Sequence, residues 1–323
     1  MGRWILMMGT RGCRIIGIKP EKVWNMNNKS IKQRNIPKLA LYAAVYMSIL
    51  CLAANACSDN SPKRATSTRL AMGTTVTIMF LYDSGMDSEK AMNDAFDEIK
   101  RLSGIMNHYA ENSEVSRLNR EGVLENADPE LLEVIERSLE YNSLTSGAFD
   151  ITILPVIEFF KDSFKENKIP LENEIKEVLE LVGSDKIEIN GNTVRLKKKG
   201  MKITLDGLAK GYIVDMASRV LLDHGIKNHL INAGGDIKAA GLREDGRPWK
   251  VAIQDPAKKD NHLDVIEITD SSVATSGNYE NYFDAEKIFH HIADPKTGFS
   301  PVLNSSASII APTAMEADAL ATA

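Results

Sequence analysis

Cysteine is all but missing from this chain. Its three cysteines are Cys13, Cys51 and Cys57, and none follows Cys57. The long C-terminal part therefore carries neither a disulfide framework nor a thiolate metal site, and its chemistry must rest on oxygen and nitrogen donors. A basic excess is missing too. With 39 Lys and Arg against 44 Asp and Glu, the formal charge is −5, which argues against a nucleic-acid partner. Lys197, Lys198 and Lys199 form the one dense basic run, and beside a predicted hairpin they read as a solvated strand end. No G-x-G-x-x-G follows a strand and no P-loop motif occurs, so the usual nucleotide-binding fingerprints are absent. No internal repeat is visible either.

What is present begins with a targeting pattern. Leu39 to Ala56 is uncharged and mostly apolar, and Lys29, Lys32, Arg34 and Lys38 precede it. A basic region, an apolar region and small residues before a break make a secretory signal. Ala54-Asn55-Ala56 suits ordinary signal peptidase, and Cys57 follows at once, as in a bacterial lipoprotein; such proteins usually carry Leu where this chain has Ala54. The expectation is a protein tethered by lipid at Cys57 to the periplasmic side of an envelope membrane, with a cleaved soluble form and an uncleaved anchor as alternatives. Taking Met26 as the start, residues 1–25 read as an over-extended N-terminus and 26–56 as the signal peptide. Residues 57–66 then read as the lipid-anchored tether and 67–323 as the working domain.

With 43% hydrophobic residues that domain has ample material for a core. Alternation and β-branching predict a strand over Thr74 to Phe80, and helical spacing predicts a helix over Ser88 to Asn107, capped by Asp87 or Ser88. Asp128-Pro129 opens a second helix that Gly147 closes, Asn190-Gly191-Asn192 turns a hairpin, and Lys210 to His224 forms a helix ended by Gly225. Leu230-Ile231, Trp249 to Ile253, Asp264 to Ile268 and Ser305 to Ile310 read as further strands. Without a regular βαβ period, the pattern favours a mixed α+β architecture.

Polar residues gather in the last third: Thr275 to Tyr279, His290 to Gly298, and Glu316 to Thr322. Each has an ordinary explanation. Asp294-Pro295-Lys296-Thr297-Gly298 is a good turn in its own right, and Asp318 could cap an Ala-rich helix. If the chain is helical from Asp318 onward, however, Asp318 and Thr322 lie one turn apart on one face. A carboxylate and a hydroxyl so placed suit Mg²⁺, a hard cation that leaves positions open for phosphate oxygens. His291 could take a proton near neutral pH. Residue chemistry alone thus reaches a possible Mg²⁺-dependent phosphoryl-type site with no named substrate.

The motifs, in their order, resemble the ApbE family of FAD:protein FMN transferases. They are Met72-Gly73-Thr74, Tyr109 with Ser113 to Asn119, Gly147 to Thr152, and Leu205 to Asp215. Asn232 to Asp236, Ala274 to Gly277, His291 to Gly298 and Ala317 to Thr322 follow. The resemblance implies an ApbE-like α+β fold of largely antiparallel sheets flanked by helices. It implies FAD as substrate, with Met72, Tyr109, Ala148, Phe149, Asp150, Lys210 and Ala293 around it and either Thr204 or Asp206 as a further contact. For Mg²⁺ it implies Asp318, Thr322 and a backbone carbonyl near Gly207. Position 321 is Ala where some relatives place a second acidic ligand. The implied reaction is attack by a Thr or Ser hydroxyl of an exported partner on the riboflavin-side phosphorus, His291 serving as base and AMP leaving. Implied partners are exported subunits of membrane electron-transfer complexes, of the sodium-pumping NADH:quinone reductase or ferredoxin-linked reductase type. The chain stops at Ala323, inside the final motif, where relatives continue. The expectation is a truncated domain that binds metal and FAD more weakly than a fuller version.

Overall fold

The computed structural model describes residues 61–255, 258–278, 282–284, 289–301 and 306–323. The expected signal peptide, Cys57 and the first part of the tether lie outside them, as do Tyr279 and Ser305. Strand β1 (Lys63–Ala71) already takes in the last residues of the expected tether, pairing Lys63 with Tyr82 and Arg64 with Leu81 of β2 (Thr74–Tyr82).

Two tight hairpin turns lie at one end of the main sheet. Met72 and Gly73 join β1 to β2 with φ of 52° and 70°, the backbone that a two-residue turn of this twist requires. Gly is at ease there; Met72 is not. The second turn, Gly234-Gly235, joins β6 (Asn228–Ala233) to β7 (Asp236–Ala240). A side chain at Gly234 would collide with Thr74, so the two turns touch. With β10 (Ser271–Gly277) and β11 (Ser306–Ala311), these strands form an antiparallel sheet in the order β1-β2-β6-β7-β10-β11.

Both faces of the sheet are covered, as strand alternation foretells. Val76, Ile78 and Phe80 of β2 and Ile231 of β6 face a large core. Helix α1 (Ser88–Met106) supplies Ala95, Ile99 and Leu102 to that core. Asp87 caps α1 by accepting from the Lys90 amide at 2.9 Å. On the opposite face Met79 and Leu230 join Ile237, Ala239 and Val273 beneath a hairpin of β8 (Trp249–Asp255) and β9 (Lys258–Ile268). Each large apolar side chain so enclosed contributes roughly 1.5–3 kcal/mol over exposure.

Short helix α2 (Glu114–Glu121) leads into β3 (Val123–Leu124), which pairs in a three-stranded sheet with β5 (Thr193–Leu196) and β4 (Ile187–Asn190), the expected hairpin. Helix α3 (Pro129–Leu144) begins at the Asp128 cap as expected but stops three residues before Gly147, whose amide turns back to the Asn142 carbonyl at 2.8 Å. A satellite core gathers Val156 and Phe160 of α4 (Leu154–Lys165) and Ile175 of α5 (Glu172–Leu179). Helix α6 (Ala209–Asp223) packs on α1, and helix α7 (Ala314–Thr322) packs on α6, β10 and β11. The cap of α7 is Thr313, so Asp318 is inside the helix and not at its start.

Candidate active site

The ends of these elements converge on a few buried polar groups. Lys210, on the first turn of α6, forms an ion pair with Asp236, the residue that leaves the Gly234-Gly235 turn. Asp236 is 1% exposed and Asp318 3% exposed. Asp318 accepts from the Gly211 amide at 3.2 Å. Burial, with repulsion from Asp236, pushes the Asp318 carboxyl up to about 8, although Lys210 opposes the shift. Burial likewise raises Asp236, against the pull of Lys210. Burial works against the Lys210 ammonium, but Asp318 and Asp236 outweigh it and hold its proton more tightly than usual.

Asp318 and Thr322 lie one turn apart on α7, as helical spacing requires. The Thr322 hydroxyl is 3.1 Å from that of Ser276 on β10. Gly207 fits between Thr322 and Phe149: a β-carbon there would lie 3.0 Å from Thr322 Cγ2 and 3.1 Å from Phe149 Cε2. A buried carboxylate, a hydroxyl and an adjacent backbone thus meet in one place. Two acidic groups share one ammonium, so Asp318 draws positive charge, either its own proton or a hard divalent cation that these oxygen donors fit. Among the described residues no three His, Cys, Asp or Glu side chains cluster together. A cation here would therefore rely on hydroxyl, backbone and water oxygens beside Asp318.

The two candidates that register left open sit on opposite sides of one turn. Thr204 is buried; its hydroxyl accepts from the Asp206 amide at 3.2 Å and lies 3.3 Å from His108 Nδ1. Asp206 points outward, with Oδ1 3.5 Å from His108 Nδ1 and Oδ2 accepting from the Tyr109 phenol at 3.4 Å. The His108 and Tyr109 rings lie 3.8 Å apart, so His108 backs an aromatic face that is 72% exposed. Burial on its inner side and the Asp206 charge push the Tyr109 phenol up to about 12.

The three residues after Gly147 do different jobs. Ala148 is half-buried, and Phe149 is core, edge-on to Tyr141 at 6.3 Å. Asp150 is saturated by protein donors: the Thr152 amide at 2.9 Å and hydroxyl at 2.6 Å, the Ser184 hydroxyl at 2.9 Å and amide at 3.0 Å, and Asn142 at 3.2 Å. Its carboxylate ties the segment together, leaving little capacity to hold a ligand. Met72 is half-buried against the main core in its left-handed turn.

His291 and Ala293 ride on a loop moored to the satellite core. Phe289 lies 4.9 Å from Phe160 and 5.1 Å from Phe164, and Ala293 packs in the same cluster. His290, buried, accepts from the Ile292 amide on Nδ1 at 3.3 Å and faces the Pro301 carbonyl with Nε2 at 3.1 Å. Those two contacts hold the His290 ring in place beside His291. The Asp294 turn closes as its sequence demands, the Gly298 amide bonding the Asp294 carbonyl at 2.7 Å. A β-carbon on Gly147 would lie 3.8 Å from Lys296 Cε, so this loop borders the Gly147–Phe149 segment. His291 is half-buried on it.

Asp236, His108 and Ser276 are the participants that residue reading left without a role. Asp236 had a signal as the acid ending a Gly-Gly turn and Ser276 as part of the Thr275 to Tyr279 polar run, whereas His108 had none.

Comparison with known proteins agrees with this arrangement. The ApbE family pattern matches residues 72–323. A Vibrio cholerae serotype O1 protein named FAD:protein FMN transferase is 32% identical over 260 residues, 78% of this chain and 78% of its own length. A Haemophilus influenzae protein of the same name is 32% identical over 78% of this chain and 77% of its own. Among solved structures, the flavin transferase ApbE from Vibrio cholerae superposes with a TM-score of 0.70 at 28% identity, covering 81% of this chain and 86% of that one. The ApbE protein from Thermotoga maritima gives 0.74 at 30% identity, covering 80% and 85%. A pattern match over most of the chain and this degree of likeness, together with the motifs meeting at one site, place the chain in the ApbE family.

Proposed function

We propose that this protein transfers FMN from FAD to a Thr or Ser hydroxyl of an exported acceptor protein, releasing AMP. The single observation carrying this reading is the convergence of Lys210, Asp318, Thr322 and Gly207 on one buried, cation-seeking cluster beside an exposed aromatic wall. Support also comes from the relatives' name, FAD:protein FMN transferase.

In this reading Tyr109 offers its exposed ring to the isoalloxazine, with His108 behind it and Asp206 on its phenol. Lys210, the one ammonium at the buried cluster among the described residues, meets the pyrophosphate charge. Asp318, Thr322 and a backbone oxygen near Gly207 would hold Mg²⁺, which supplies charge neutralisation at the pyrophosphate. His291 takes the proton of the acceptor hydroxyl as its oxygen attacks the riboflavin-side phosphorus. The P–O bond to the AMP half breaks and a phosphoester to the acceptor forms. Electron-transfer subunits on the far side of the membrane are the acceptor class, and lipidation at Cys57 would keep the enzyme beside them. That anchor predicts acyl labelling of the exported protein that Cys57→Ala abolishes.

The test incubates the full chain with FAD, Mg²⁺ and a candidate acceptor domain and reads the acceptor's intact mass. A gain of one FMN moiety, lost in His291→Ala and Asp318→Ala, is expected. AMP and free FMN appearing at equal rates with and without acceptors would make the protein an FAD pyrophosphatase, and bound but intact FAD would make it a carrier.

A further inference from the structure

Asp215 lies five residues beyond Lys210 on α6, away from the FAD site proposed above, yet it is built into the start of α7. Its carboxylate accepts from the Ala314 amide at 3.0 Å and from the Met315 amide at 3.0 Å. Thr313 satisfies only the next amide, its hydroxyl accepting from Glu316 at 3.2 Å, while its carbonyl takes the first bond of the helix proper, from Ala317 at 3.2 Å. The amides that open a helix have no partners within it, and of the three that side chains cap here two are held by a different helix.

Two neighbours reinforce the joint. Lys238 of β7 lies 3.7 Å from Asp215 and donates to the Pro312 carbonyl at 2.6 Å, just ahead of the Thr313 cap. Gly211, one turn before Asp215, lets the helices touch backbone to backbone, since a β-carbon there would collide with the Ala314 carbonyl. A helix of nine residues is too short to hold itself in water, so its place is set by what it packs on and by these bonds. It carries both Asp318 and Thr322.

We propose that Asp215 is a positioning residue for the cation site: by capping α7 from α6 it fixes the height at which Asp318 and Thr322 face Gly207 and Lys210. The proposal rests on the reading above only in taking Mg²⁺ as the cation. Residues that orient metal ligands typically alter affinity by about 10–100-fold when lost.

The test measures Mg²⁺ binding calorimetrically, with and without FAD, for the wild type, Asp215→Ala and Asp215→Asn. It also measures amide exchange at Ala314 and Met315. Wild-type protein should protect both amides. Asp215→Ala should expose them and weaken Mg²⁺ binding by about tenfold or more. Asp215→Asn, whose side-chain oxygen still accepts one amide, should fall between. A residue that merely stabilised the fold would lower the melting temperature and leave the Mg²⁺ affinity of the folded protein unchanged. Folded variants with wild-type affinity therefore overturn the proposal, as do Ala314 and Met315 amides that exchange freely in the wild type. If Asp215→Ala does not fold, Asp215→Asn and the wild-type exchange rates decide. Mg²⁺ binding that depends on Asp215, with no FMN passed to any acceptor, would sink the transferase reading and leave this one standing. A wild type that takes up no Mg²⁺ in either titration overturns the proposal.

Discussion

Gly207 and Thr322, 115 positions apart in sequence, are in contact: a β-carbon at 207 would lie 3.0 Å from Thr322 Cγ2 and 3.2 Å from its hydroxyl. The smallest residue thus keeps the backbone beside a proposed metal ligand. Gly207→Ala should push Thr322 and Phe149 apart. Overpacking of this kind costs about 1–3 kcal/mol. Mg²⁺ affinity should fall along with the melting temperature, and a calorimetric titration showing unchanged affinity would contradict this use of the glycine.

Asp236 holds Lys210, and removing its charge should be felt twice. Asp236→Asn should lower stability by about 3 kcal/mol or less, because breaking a buried pair strands the remaining charge and the lysine here is partly exposed. The freed ammonium should then turn to Asp318 and compete with a cation. Chemical denaturation reads the first effect, and the Mg²⁺ concentration giving half-maximal AMP release, expected to rise several-fold, reads the second.

Phe289 moors the His291 loop between Phe160 and Phe164. Phe289→Ala should cost about 2–3 kcal/mol, below the range for a fully buried ring because Phe289 is only partly enclosed. Since the loop carries the proposed base and one implied flavin contact, Ala293, while the Tyr109 ring lies elsewhere, kcat should drop more steeply than FAD affinity read by flavin fluorescence. Equal losses in both would show that the loop serves flavin binding as much as proton transfer.

His229 sets an acid limit on stability. It is fully buried, and its Nε2 lies 2.7 Å from the Ser218 hydroxyl. Burial pulls its pKa down to about 4 from an ordinary value of 6.5. Between these values the unfolded chain binds a proton that the folded chain refuses. Stability from this residue is therefore full above pH 6.5 and lost as pH falls toward 4, by at most about 3 kcal/mol. Melting temperatures from pH 7 to pH 4 should drop less steeply for His229→Gln than for the wild type.

Much of the molecule was legible from local chemistry. The strand after Met72, the Asp87- and Asp128-capped helices, the Asn190-Gly191 hairpin and the helix ended by Gly225 follow from alternation, capping and turn residues, all short-range effects. The one-turn spacing of Asp318 and Thr322 was equally local, because any helix through them imposes it. Of the two readings open for Asp318, the cap fell and the one-turn pairing held: Thr313 caps the helix five residues sooner, with the Ala314 and Met315 amides held by Asp215.

By itself the sequence determined the elements, the oxygen and nitrogen character of the site and the order of its motifs. Those properties depend on residue type and on neighbours a few positions away. Tertiary structure alone decided that Lys210 rests on Asp236, that Asp150 is spent on Ser184 and Thr152, and that Asp206 faces outward to Tyr109 while Thr204 is buried. Each of these depends on which groups lose water together. Charge pairing and desolvation act through space between elements whose separation along the chain carries no trace of their contact.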